Sequence, residues 1–135
     1  MDTLSPEERS ERMSRVRSRD TSPEMLTRHL ARKLGYHFQL HSQNLPGRPD
    51  LVFARRRKVI FVHGCFWHRH NRCALARLPK SNQDFWSSKF DQNRRRDVLN
   101  RAALTRLGWM SLVVWECELR DPVKVMLKML MFLEK

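Results

Sequence analysis

Pro46-Gly-Arg-Pro-Asp50-Leu-Val-Phe53-Ala-Arg-Arg-Arg-Lys58-Val-Ile-Phe-Val-His63-Gly-Cys65-Phe-Trp-His68-Arg-His70-Asn-Arg-Cys73 contains two short apolar runs, Leu51 to Phe53 and Val59 to Val62, divided by a basic turn. Runs rich in β-branched and aromatic residues on either side of a polar break read as strand, turn, strand. Asp50 is held behind two prolines and a glycine at the mouth of the first strand, and His63 closes the second. Cys65, His70 and Cys73 then follow at metal-ligand spacing. The segment reads as a reactive site built beside a metal site.

Upstream, Ser5-Pro6-Glu7-Glu8 and Thr21-Ser22-Pro23-Glu24 each combine a capping hydroxyl, an early proline and a first-turn glutamate, so each predicts a helix start. Between them residues 9 to 19 are polar and basic with only Met13 and Val16 apolar, which fits either a solvated arm or an arm that contacts DNA. Leu26, Leu30, Ala31 and Leu34 fall at helical spacing before Gly35, predicting a helix packed on the core. Residues 36 to 40 alternate weakly. Downstream, a polar and basic helix is predicted from about Gln83 to Leu107, with Phe85, Phe90, Val98, Ala102 and Leu107 as its apolar positions and Gly108 as its stop. Trp109 to Trp115 reads as a buried strand ending at Glu116-Cys117. Asp121-Pro122 opens a last helix through Phe132, with Val123, Met126, Leu127, Leu130 and Met131 as its apolar side. Helix, strands, helix, strand, helix predicts an α/β sandwich with a mixed sheet, the Asp50 and His63 strands at its centre.

A chain of 135 residues suits one domain, 1–135, with 1–20 as a basic N-terminal arm. Its 27 Lys plus Arg against 14 Asp plus Glu give a net charge of +13, which suits a polyanion and makes nucleic acid the first candidate partner. With no apolar leader, no apolar run near the ~20 residues needed to span a bilayer and no lipidation signature, the expectation is a cytosolic protein without a membrane partner. Three cysteines without a secretion signal argue against a disulfide framework and leave thiolates for metal.

Cys65, His70 and Cys73 on one loop, with Cys117 at the end of a strand able to lie beside it, make a closed tetrahedral zinc site of the structural kind. Hydrolysis of a phosphodiester calls for a hard cation on oxygen ligands; Asp50 supplies one carboxylate and a main-chain carbonyl near Val62 a second oxygen. A base must activate water, and His63 and His68 are the candidates. Taken singly, Asp50 also fits a turn cap and each histidine a loop residue. Phe66-Trp67 and Phe85-Trp86 stand amid basic side chains, a combination that can wedge between base pairs while cations hold phosphates, although Phe66 and Phe85 also suit a core. Lys89 and Asn93, one helical turn apart, are expected to face a groove together.

These motifs resemble the very short patch repair endonucleases of bacteria, whose hallmark looks like Leu45-Pro-Gly-Arg-Pro-Asp50 followed by His63-Gly-Cys-Phe-Trp-His68. The resemblance runs from about Arg12 to Leu119 and takes in Arg19-Asp20-Thr21, Pro79-Lys80, Phe85-Trp86, residues 93 to 97, Leu107-Gly-Trp109 and Val114-Trp-Glu-Cys117. It implies a restriction-endonuclease-like fold and a magnesium-dependent nick 5′ to the thymine of a thymine–guanine mismatch, the product of 5-methylcytosine deamination. It further implies that Asp50 binds magnesium with the carbonyl of Val62, that His68 is the general base, and that His63, Glu24 and Asp97 support the site. Cys65, His70, Cys73 and Cys117 would hold structural zinc. Phe66, Trp67 and Trp86 would intercalate, Met13 would approach the minor groove, and Lys89 with Asn93 would touch base edges. The wider superfamily carries an acidic-x-Lys pair on the second strand, where this chain reads Phe61-Val62-His63. A monomer, a bacterial cytoplasmic and nucleoid-associated location, and contact with general mismatch-repair proteins complete the expectation. Two rival readings are a same-fold nuclease acting on other DNA and a zinc-stabilised DNA-binding module without catalysis.

Overall fold

In a computed structural model the chain is described over residues 20–42, 44–65 and 82–135. The helix start at Ser5, Met13, Phe66, Trp67, His68, His70, Cys73 and the Pro79-Lys80 pair lie outside the described residues. The elements run α1 (Ser22–Lys33), β1 (Gln39–Leu40), β2 (Leu51–Phe53), a 3₁₀ turn (Ala54–Arg56), β3 (Lys58–His63), α2 (Gln83–Arg106), β4 (Met110–Trp115), a second 3₁₀ turn (Glu116–Arg120) and α3 (Pro122–Glu134). The sheet order is β1-β2-β3-β4. β1 and β3 pair antiparallel with β2, whereas β4 lies parallel to β3, so the sheet is mixed and flanked by helices as expected.

Local signals in the sequence set the helix ends. Thr21 accepts from the Glu24 N–H while Glu24 accepts from the Thr21 N–H, a reciprocal cap, and Gly35 takes φ +89° just past the C-cap Leu34. The period of two along the strands then divides the core. Leu51, Phe53, Ile60 and Val114 face Leu30 and Ala31 of α1 and Val125, Met129 and Leu133 of α3. Val52, Val59, Phe61 and Val113 pack with Leu104 of α2 on the other side. Each side chain buried this fully contributes roughly 1.5–3 kcal/mol relative to exposure, so two apolar layers clamp β2 and β3 where Asp50 and His63 emerge.

Three apolar assignments are corrected. On α3 the buried stripe is Val125, Met129 and Leu133, spaced i, i+4, i+8, while Val123, Leu127, Leu130 and Met131 are exposed. That helix is apolar nearly all round, so its spacing supports two stripes and only packing selects one. On α2, Phe85, Val98 and Leu107 are exposed, and the buried residues are Trp86, Phe90, Asn93 and Leu104. β4 is half-buried, with Met110 exposed and Val113 and Val114 inside, because it is an end strand of the described sheet.

Candidate active site

Asp50 reaches its place through a turn with little freedom. Pro49 is buried, Arg48 and Gly47 both take positive φ, and a Cβ on Gly47 would stand 3.0 Å from Asn100 Cβ and 3.1 Å from Phe61 Cε1. Only glycine allows this backbone to lie flat between α2 and β3. From there the Asp50 Oδ2 accepts the Val62 main-chain N–H at 2.6 Å. The expected magnesium ligand is the Val62 carbonyl; the contact the structure shows is with the N–H of the same residue, which belongs to the preceding peptide.

Glu24 comes to Asp50 from the first turn of α1. A hydrogen bond joins the two carboxyls, which needs a proton between two acceptors. Burial first, and then that bond, push Asp50 up to about 8, against the opposite pull of the Val62 N–H and Arg28. The expected Glu24 and Asp50 thus meet. Sequence reasoning missed three neighbours. Arg28, one turn beyond Glu24 and 4% exposed, sets Nη2 2.8 Å from Asp20 Oδ1, 3.0 Å from His41 Nε2 and 3.6 Å from Glu24 Oε2. His41 Nδ1 stands 3.9 Å from Asp50 Oδ1. The i, i+4 spacing of Glu24 and Arg28 was a usable signal; nothing in the spacing of His41 was. Asp20, Glu24 and His41 bring ligand-type atoms within 4.8 Å of one another, but Arg28 already supplies the positive charge that such a cluster needs.

His63 ends β3 on the α2 side of the sheet, buried with its ring 5.8 Å from Phe61 and edge-on to Trp115 at 5.1 Å. The parallel register pairs His63 with Trp115, so two residues on, Cys65 and Cys117 leave the sheet side by side. The Cys117 N–H donates to Cys65 Sγ at 3.4 Å, and the Cys65 N–H donates to Glu116 Oε1 at 3.3 Å. Half of the expected zinc set is therefore brought together. Asp97 lies partly buried on α2, one turn before Asn100.

The aromatic set is rearranged. Trp86 is buried and stacked on Phe90 at 5.9 Å and 22°, whereas Phe85 is 53% exposed and stands edge-on to Trp86. Asn93 is buried, so it does not share an open face with Lys89. The cause is periodicity: Trp86, Phe90 and Asn93 occupy i, i+4 and i+7 of one face, and Lys89 sits at its border with Nζ 5.9 Å and 6.0 Å from the Trp86 and Phe85 ring centres. Arg94, Arg95 and Arg96 remain exposed on the outer side of the helix.

Residues 1–75 match the sequence profile of the family "DNA mismatch endonuclease Vsr". Over 120 residues the chain is 53% identical to "Type II nicking enzyme V.XorIIP" of Xanthomonas oryzae pv. oryzae, covering 89% of this chain and 88% of that protein. It is 42% identical over 117 residues to "DNA mismatch endonuclease Vsr" of Escherichia coli K12, covering 87% and 74%. Similarity to "Type II nicking enzyme V.NmeAIP" of Neisseria meningitidis serogroup A is 38% over 120 residues, covering 89% and 85%.

Proposed function

Because this chain belongs to the Vsr family of DNA mismatch endonucleases, we propose that it is a magnesium-dependent endonuclease of restriction-endonuclease-like architecture that nicks duplex DNA 5′ to the thymine of a thymine–guanine mismatch. The observation that carries this reading is the Asp50 carboxyl, half-buried beside a second carboxyl and held by the Val62 N–H near the end of a central strand.

The donor chemistry fits magnesium. Two carboxyls and a main-chain carbonyl would form a hard, oxygen-rich corner, and Asp50, whose surroundings favour its protonated form, gains from a divalent ion that replaces that proton. Magnesium bound by Asp50 and the Val62 carbonyl would polarise the scissile phosphate and lower the pKa of water. Glu24 holds Asp50 in its rotamer, and the His41 ring walls the same corner. His68 would take the proton from the attacking water, with His63 and Asp97 supporting. The paired Cys65 and Cys117 fit zinc, because a thiolate sulfur that accepts a main-chain N–H is the donor such sites use; His70 and Cys73 would complete the set.

The net charge of +13 suits a phosphate backbone. Phe66, Trp67 and Trp86 would wedge beside the mismatch, with Met13 from the minor groove and Lys89 and Asn93 toward base edges. Since Trp86 and Asn93 are buried in the chain without DNA, this role requires the start of α2 to rearrange on binding, and the exposed Phe85 is the aromatic that meets DNA first.

The test incubates the purified chain and magnesium with two end-labelled duplexes, one carrying a single thymine–guanine mismatch in a methylated-cytosine context and one fully paired. A break 5′ to the mismatched thymine in the first duplex alone, lost in Asp50→Ala, is the expected result. Cutting of both duplexes would instead mark a general nuclease, and binding without cutting a non-catalytic DNA-binding module.

A further inference from the structure

Arg28 is the one buried guanidinium among the described residues whose contacts reach the Asp50 corner. Its Nη1 donates to Met25 Sδ at 3.2 Å, its Nη2 faces Asp20, Glu24 and His41, and its Nε finds no partner among the described residues. For stability alone this is a poor arrangement. Burying a charge with one orphaned donor costs more than an apolar side chain of similar volume would at the same place. What the arrangement does is define the neighbouring imidazole.

A guanidinium has donors only. At 3.0 Å from Arg28 Nη2, His41 Nε2 must therefore be the acceptor and carry a lone pair. The ring proton is then on Nδ1, the atom that faces Asp50 Oδ1 at 3.9 Å. That gap is one a small ring rotation or a bridging water closes. The His41 backbone is held too: it takes φ +47°, unusual for a non-glycine residue, and its N–H donates to the Asp50 carbonyl at 3.4 Å.

We propose that Arg28 and His41 are positioning residues: Arg28 fixes the Nδ1–H tautomer of His41, and His41 thereby aims an N–H at Asp50 Oδ1 while Val62 holds Oδ2. The carboxyl is then held on Oδ2 by β3 and faced on Oδ1 by the residue that follows β1. The proposal rests on reading Asp50 as the carboxylate of the reactive site.

The test uses the full chain. Two-bond proton–nitrogen correlation of the histidine rings, with Asp50 intact and His41→Gln used for assignment, should find His41 as the neutral Nδ1–H tautomer at pH 7, and Arg28→Met should abolish that preference. His41→Gln keeps both contacts, its amide oxygen accepting from Arg28 and its amide N–H facing Asp50, and should nick within about threefold of the parent, whereas His41→Leu should lose about 10- to 100-fold in kcat with KM little changed. A His41 ring protonated on Nε2 would overturn the proposal, and so would equal rates or equal losses for His41→Gln and His41→Leu. If Arg28→Met does not fold, Arg28→Lys and the two His41 variants carry the same comparison. Should the parent nick no duplex at all, the mismatch reading fails on its own account, and the ring tautomer still decides the positioning proposal.

Discussion

The Val62 main-chain N–H donates to the Asp50 carboxyl at 2.6 Å at the open end of the β2–β3 hairpin, so the strand paired with β2, not β2 itself, anchors the side chain that precedes β2. One N–H does not offset the partial burial of the carboxyl and its hydrogen bond with Glu24, and Asp50 is pushed from an ordinary 3.8 up to about 8.

That elevation has a sign. The folded chain holds a proton on Asp50 between about pH 4 and 8 that the unfolded chain has already released, so stability must fall as pH rises through this window. Urea melts in a chelator at pH 5.5 and pH 8 should differ by on the order of 3 kcal/mol in this direction. Asp50→Asn, which keeps the shape without the charge, should flatten the difference and melt higher than the parent at pH 8 while losing nicking. Equal pH slopes for parent and variant would show that Asp50 does not carry the effect.

On the proposed reading, magnesium would compete with that proton for the Asp50 carboxylate. Its stabilising effect should therefore be small at pH 5.5, grow toward pH 8, and vanish in Asp50→Ala. Thermal melts over a magnesium titration at the two pH values test this without DNA. A shift in melting temperature that survives in Asp50→Ala would place the ion elsewhere.

The Cys65 and Cys117 pair makes a separate prediction about zinc. The purified chain should contain one zinc per molecule, and Cys117→Ser should lose most of it together with several degrees of melting temperature. Metal analysis by mass spectrometry gives the stoichiometry directly. A parent chain purified without chelator and free of zinc would remove the metal from the account.

How much of this was legible beforehand depended on how local each signal was. Thr21 and Glu24 announce α1 within four residues, and the β-branched runs beside Asp50 and His63 announce β2 and β3. Cys65 and Cys117 were readable as a candidate pair because Cys117 ends a strand, and the parallel register of β3 and β4 is what places them side by side. The meeting of Arg28 with His41 was not legible, since it depends on a two-residue strand, β1, with almost no pattern of its own. The face of α3 was not legible either, because a helix apolar on all sides leaves the choice to the sheet it meets.

Gly47 and Gly35 offer a matched comparison. Both take positive φ, but a Cβ at Gly35 meets nothing within 4 Å, whereas one at Gly47 meets Asn100 and Phe61 at 3.0–3.1 Å. Gly35→Ala should lose about 1 kcal/mol through backbone strain alone. Gly47→Ala adds a clash against side chains packed under the Asp50 turn, so it should lose about 2–3 kcal/mol and reduce nicking as well. Denaturant midpoints give the first quantity and single-turnover nicking the second. Equal losses in the two variants would mean that the turn gives way without moving Asp50.

Lys58 lies at the other end of β3 from His63, and its effect should therefore separate stability from activity. Its side chain is buried and its Nζ donates to the carbonyls of Phe132 at 2.7 Å, Leu133 at 3.2 Å and Lys135 at 2.8 Å, beside the Phe132 ring. A cation there satisfies the last carbonyls of α3 and meets the negative end of its dipole. Lys58→Met keeps the aliphatic stem and removes the charge, so the loss should be about 2–3 kcal/mol, set by charged hydrogen bonds given up rather than by packing. Nicking measured well below the melting temperature should stay near the parental rate, because the contacts of Lys58 among the described residues are with the end of α3, not with the Asp50 corner. A matching fall in kcat at that temperature would show instead that the fit of α3 on the sheet is transmitted along β3 to the site.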